Sequence, residues 1–418
     1  MPSTISWKSG APAIAQINTW TFATAGSIGD VITVTIGSKS WTYTTTSATI
    51  SVFLPLFLNA INALASSVYP EFAEITWTNP TASTIIGTSK TAGKPFTATL
   101  ATNSAGTTIN GGASSTGTAT LVSSGPYDAS TAANWSGGVV PVTGDTVIID
   151  REGTRIYWGL NQSGVVAASR RIVTQDCIIG LPKINTDGPA YPEYRPDYWQ
   201  MTATLDYLNT ASGRIKLNQG TGQTTFTQDM SGSGIETNVP AVLLCGSHAS
   251  NVWNFFGGQA SLQQFQGDAF TANVLRLDAG TTITCGPNAV LNTINNFGGN
   301  LLVNGAIVTA LNHPGTGAAK TQIEGSGAVA QITLQGGSCI YDTIGTLGGN
   351  TVLGNNASLT FDNDQRPKTV TNPISIYSPS VRFSDQFGVI SGGYTLSYVN
   401  CVGTLRLKPN SSAVIASL

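Results

Sequence analysis

Apolar residues alternate with Thr over residues 18–46, in NTWTFATAG, GDVITVTIG and WTYTTT. This period of two predicts half-buried strands in a hairpin-like unit. The period then changes. From about Ile50 to Ala65, ISVFLPLFLNAINALA places Phe53, Phe57, Ile61 and Leu64 at helical spacing, with Thr49 or Ser51 as cap and Pro55 tolerable only in or near the first turn. AEITWTN at 73–79 and KPFTATLAT at 94–102 return to strand character, so residues 1–105 read as a small α+β module. NSAGTTINGGASSTGTAT has almost no large side chains and places a linker at 106–126.

Beyond residue 127 the runs LRL, TIT, LLV, QITL, TVL, SLTF and VRF each offer two or three inward positions, separated by Gly and Asn turns. INNFGGNLLVN at 294–304 superposes on IGTLGGNTVLG at 344–354 with a shift of 50. The Gly-Gly pairs starting at Gly257, Gly298, Gly348 and Gly392 are separated by 41, 50 and 44 residues, an imperfect period that marks a solenoid with variable loops. Short faces and Gly turns needing positive φ favour a parallel β-helix with coils of about 20 to 25 residues over a propeller or sandwich. Residues 127–418 are thus expected to form one right-handed parallel β-helix, with Gly298 and Gly348 at equivalent turns two coils apart. A Pro-rich aromatic stretch at about 180–201 reads as a lateral loop.

Composition agrees with a mainly β chain: Thr, at 56, outnumbers even Gly at 47, and neither favours helix. Only 10% of residues are charged and the net charge is -2, so no long-range field holds nucleic acid or an anionic membrane. The longest apolar run, VFLPLFL, is too short to span a bilayer, and the N-terminus lacks a basic and apolar leader pattern, which predicts a chain made in a cytosol. The five cysteines, Cys177, Cys245, Cys285, Cys339 and Cys401, have no metal-site spacing and are expected to be buried small apolar residues.

Two segments carry a resemblance. GDVITVTIGSKSWTYTTT, with the following helix, EFAEITWTN and TAGKPFTATL, resembles a β-rich module of structural proteins of tailed bacteriophages. AANWSGGVVPVTGDTVIID resembles the opening segment of right-handed β-helices in phage and bacterial surface proteins. Together they cover roughly a quarter of the chain, and neither is a catalytic signature. The resemblance implies a virion protein, often a homotrimer, made in the host cytoplasm with other virion proteins such as the major capsid protein as partners, and does not say which virion position. Size favours a non-enzymatic capsid decoration, since 418 residues leave only about 290 for the β-helix after the first module and no distal receptor-binding domain is evident. The alternative it leaves is a tail fibre or tailspike that binds, and less readily cleaves, a host surface glycan.

Candidate chemistry is sparse. His248 and His313 show no triad or ligand spacing, no P-loop is present, and neither a cofactor nor a metal site is expected. Asp342, Asp362 and Arg382 are evenly spaced along the chain, so coils of matching length would stack them on one face with Asp364, Arg366 and Asp385. Paired acids can cleave glycans, but a charged turn such as DNDQRPK is ordinarily solvated. Tyr191, Tyr194, Arg195, Tyr198 and Trp199 of the aromatic loop are candidate contacts to a partner or a sugar, since Tyr, Trp and Arg dominate interface hot spots.

Overall fold

The computed structural model describes residues 2–24, 27–37, 39–103, 106–173, 177–180, 198–208, 214–229, 242–262, 269–315, 318–399, 404–409 and 413–417. Its chain begins inside what becomes the larger of two cores. Strand Thr4–Ser6 pairs in parallel with Thr146–Ile149, which pairs in turn with Asn161–Val173. From there a parallel β-solenoid of about 10 turns runs over residues 146–416. Two stacks of strands alternate along the chain. The first continues through Thr271–Leu277, Val290–Asn296, Ile307–His313 and Val329–Leu334, and the second through Thr281–Cys285, Asn300–Asn304, Lys320–Glu324 and Ser338–Tyr341.

The short apolar runs form these strands because every second residue points inward and stacks on its counterpart one coil away. In the first stack Phe226, Trp253, Leu275, Ile294, Leu311 and Ile332 are successive register partners, all fully buried. Coil length varies, since the step from Ile294 to its partner Leu311 is far shorter than the step from Phe226 to Trp253. Loops absorb the difference while strand register is kept. Cys285 and Cys339 fill inward positions of the second stack, and Cys177 and Cys245 are also buried; Cys401 lies outside the described residues.

The α+β unit is carried between the first rung and the rest. It has its own core of Trp20, Phe22, Ile32, Val34, Phe53, Phe57, Ile61 and neighbours. Helix Ile50–Asn62 buries Phe53, Leu54, Phe57 and Ile61, whereas Leu64 lies past its end and is only partly buried. Pro55 stands in the second turn rather than the first, on the exposed side of the helix. Val31–Ile36 and Lys39–Thr44 form the hairpin, but Ile17–Thr24 joins a separate sheet beside Thr84–Ser89. Residues 106–126, expected as a linker, instead supply strands: Thr108–Ile109 and Thr118–Leu121 pair with Ile17–Thr24, and Ser114–Ser115 with Ala98–Thr102. Small Thr and Ser side chains suit these edge strands, so a lack of large residues is not a lack of structure.

The phrase AANWSGG closes the solenoid where the chain leaves and returns. Buried Asn134 accepts the Ala11 amide at 2.9 Å and donates to the carbonyls of Gly125 and Asp128 at 2.7 and 2.8 Å. Trp135 meets Trp7 edge to face at 4.9 Å and donates to the Ala129 carbonyl. Asp145 accepts the amides of Ser3 and Val142, tying the first rung to the second. Lys94, paired with Glu74 at 2.5 Å, also lies over the Trp158 ring, so the two units touch through a cation–π contact.

The Gly-Gly expectation needs correction. Gly298 precedes the second-stack strand Asn300–Asn304, whereas Gly348 precedes the first-stack strand Thr351–Leu353, so the two turns are not equivalent. Among the four turns only Gly392 has the expected positive φ, 80°; in the pair at 257 it is Gly258 that has one, 77°. What the other pairs provide is close approach of neighbouring coils. A Cβ on Gly299 would overlap Thr281 Oγ1, and one on Gly349 would overlap the Ala330 carbonyl oxygen. A Cβ on Gly348 would meet nothing within 4 Å. Gly349→Ala is therefore expected to destabilise the fold by about 2–3 kcal/mol, while Gly348→Ala stays within about 0.5 kcal/mol of the parent. Denaturant unfolding of the two variants checks this, and equal effects would contradict the stacking account.

Candidate ligand-binding groove

Three second-stack strands near the C-terminal end, Ser358–Thr360, Arg382–Asp385 and Thr404–Leu407, run in parallel register. Leu359, Phe383 and Leu405 are partners on the inner side, which leaves Ser358, Arg382 and Thr404 aligned outside, with Thr360, Ser384 and Arg406 aligned two residues further on. Together with Asp362 from the following turn, these residues line an outward-open groove of about 480 Å³. Arg382 and Arg406 are exposed, and neither makes an ion pair among the described residues.

Asp362 is committed. Its carboxylate accepts the Ser384 hydroxyl and the Gln386 amide, the latter at 2.9 Å, while its own amide donates to Thr360 Oγ1 at 3.2 Å. The groove therefore presents two free guanidinium forks, a tethered carboxylate and several hydroxyls. Such a set can hold an anion and hydrogen-bond a polyol.

The other carboxylates do not join this groove as one cluster. Asp385 points into the solenoid, where it accepts the Val389 amide at 2.8 Å beside Tyr394; burial raises its pKa, against hydrogen bonds that lower it. Asp342 is also largely covered, and burial raises its pKa while Asn363, Lys368 and Gln322 act in the opposite direction. Asp364 is held down to about 2 by the side-chain hydrogen bond from Arg366, with fully buried Lys368 Nζ 3.5 Å away. The expected stacking holds only for its first step: Ser338 is the register partner of Ser358 and the Tyr341 and Phe361 rings stack at 5.1 Å, so Asp342 and Asp362 follow at matching positions, but the next coil is longer and the register partners of Arg382 are Ser358 and Thr404, not Asp362. Glycoside hydrolysis needs two carboxyl groups flanking one bond, and among the described residues Asp362 is the one carboxylate lining the groove. Arg382 stands out in the sequence; Ser358, Thr360, Ser384, Thr404 and Arg406 do not, since only the true rung lengths bring them together.

The aromatic loop divides differently from its expected exposure. Tyr191, Tyr194 and Arg195 lie outside the described residues. Tyr198 and Trp199 are buried, and Trp199 opens the strand Trp199–Leu208. Its indole donates to Gln162 Oε1 at 2.8 Å, packs near Trp135, and receives the Arg170 guanidinium 4.6 Å above its ring. Arg170 itself occupies a core position between Val147 and Leu205, and burial lowers its pKa to about 9. Trp199 therefore holds the core and is not free to contact a partner.

His313 is likewise internal, stacked in register with Leu334. Its Nδ1 donates to the Gly336 carbonyl, so in the neutral ring Nε2 accepts the Thr321 hydroxyl at 2.8 Å, and Asn296 Nδ2 donates to the same hydroxyl oxygen. His248 sits in a turn, accepting the Ser250 amide. Among the described residues no group of three His, Cys, Asp or Glu is placed to hold a metal, and no helix is long and apolar enough to cross a membrane. Comparison with known protein families, curated proteins and solved structures finds no match to this chain.

Two outcomes follow from these interior residues. Trp199→Ala is expected to cost about 3–5 kcal/mol of folding stability, read by denaturant unfolding, and an unchanged midpoint would contradict its core role. Burial lowers the His313 pKa from 6.5 to about 4, so the unfolded chain takes up the proton first and stability is lost as pH falls through that window. Between pH 7 and pH 4 the parent should lose about 3 kcal/mol more than His313→Asn, measured by unfolding at stepped pH.

Proposed function

We propose that this chain is a non-enzymatic structural protein of a tailed-bacteriophage particle, a capsid decoration or related appendage. The α+β unit is its attachment end and the solenoid its projecting rod. The observation that carries this reading is the continuous parallel stack with a separately cored unit fixed at its first rung. A rod of this kind transmits position without moving parts, and its partners are other virion proteins such as the major capsid protein. The resemblance of GDVITVTIGSKSWTYTTT and AANWSGGVVPVTGDTVIID to phage modules supports the same assignment, with the virion as location.

The working species in this proposal is a homotrimer. Past Arg276, the outward column of the first stack runs through Asn295, Asn312, Thr333, Val352 and Ser375 without a further charge. A flat, uncharged flank favours association over dispersion, and closed three-fold symmetry buries it without building filaments. A second reading, a tail fibre or tailspike that binds a host surface glycan, is favoured by one observation, the arginine-bearing groove at the solenoid's far end.

Imaging intact particles that carry a labelled variant tests the first reading. Label projecting from the capsid, with light scattering of the purified protein at about three chain masses, is the expected result. Label absent from particles, or release of oligosaccharide from host glycans that is lost in Asp362→Ala, would overturn it.

A further inference from the structure

The free guanidiniums of the groove point to a ligand class. We propose that the groove binds an acidic saccharide, a chain of sugars bearing carboxylate groups, an inference that rests on the glycan-binding reading and deepens it. Arg382 and Arg406 stand on adjacent rungs and two residues apart along the strand, so the two forks are offset diagonally across the groove. Each planar fork matches a carboxylate through two parallel hydrogen bonds. Between and beside them lie the hydroxyls of Ser358, Thr360 and Thr404, which can both donate to and accept from sugar hydroxyls.

Asp362 sharpens the selection. Because it is tethered to Ser384 and Gln386, it stays in place as a fixed negative group at one side of the groove. A polymer with dense charge, such as a polyphosphate or a heavily sulfated chain, would set an anion against it, whereas a uronate chain spaces its carboxylates with hydroxyls that Asp362 can accept from. The volume of about 480 Å³ falls in the usual range for ligand sites, roughly 300–1,000 Å³. The groove is also open along the outer face, so a longer chain can continue beyond the bound sugars.

Isothermal titration of the full chain with oligogalacturonate tests the proposal, with maltohexaose, sulfated dextran and inorganic phosphate as comparison ligands. Oligogalacturonate should bind, Arg382→Gln and Arg406→Gln should each weaken binding about tenfold, and the double variant about a hundredfold. Arg→Lys at either position should restore part of the loss, and Lys320→Gln, on the same stack outside the groove, should leave affinity unchanged. Both arginines are exposed, so the parent unfolding midpoint is expected in every variant. No binding at millimolar oligogalacturonate, unchanged affinity in the double variant, or tighter binding of phosphate or sulfated dextran would overturn the proposal. Maltohexaose binding as well as oligogalacturonate, with no response to the arginine variants, would also overturn it while leaving the glycan reading in place.

Discussion

Parallel rungs about 4.8 Å apart leave each inward side chain directly on top of its counterpart, and the rest of this structure follows from that stacking. One inward column passes from Ile5 and Val147 at the first rungs, through Trp253, Leu275, Ile294 and Leu311, to Leu396 and Ile415 at the last. No rung has a hydrophobic core of its own; each buries its apolar residues only against its neighbours. The α+β unit, with a closed core, is the exception, and it hangs from the stack rather than taking part in it.

The same spacing explains the residues that break the apolar pattern. Asn296 and His313 occupy inward positions at a corner, yet Thr321 and the carbonyls of Gly299 and Gly336 satisfy them, so the network adds no unmet polar group there. Arg170 interrupts a core column but lays its guanidinium over Trp199. At the corners the coils approach so closely that Gly299 and Gly349 have no room for a Cβ. The outermost described rung shows what stacking provides elsewhere: Ile415, paired on one side only among the described residues, is 59% exposed although it continues the inward column.

Much of this is legible in the residues. Short Val, Ile, Leu and Thr runs between Gly and Asn turns announce a solenoid, and helical spacing of Phe53, Phe57 and Ile61 announces the helix that packs into the α+β core. Rung assignment is not legible. INNFGGN and IGTLGGN look alike because both must turn tightly against a neighbouring coil, but they do so before different stacks. The groove depends on the coil lengths that align Ser358 with Arg382 and Arg382 with Thr404, which local pattern does not reveal. Trp199 reads as exposed because it follows a Pro-rich segment, yet it is fully buried. Thr4–Ser6 carries no distinctive pattern, and its partner strand Thr146–Ile149 lies on the far side of the whole α+β unit in the chain.

That first pairing makes the strongest demand on the account, because it requires the chain to start in one core, build a second, and return. Hydrogen exchange by mass spectrometry on the full chain and on Ile5→Asp addresses it directly. The expected result is lost protection at 146–149 and 169–172, next to the damaged rung, with helix Ile50–Asn62 protected as in the parent. Lost protection confined to residues 17–121, with 146–172 unchanged, would contradict the placement of the N-terminal strand as the solenoid's first rung.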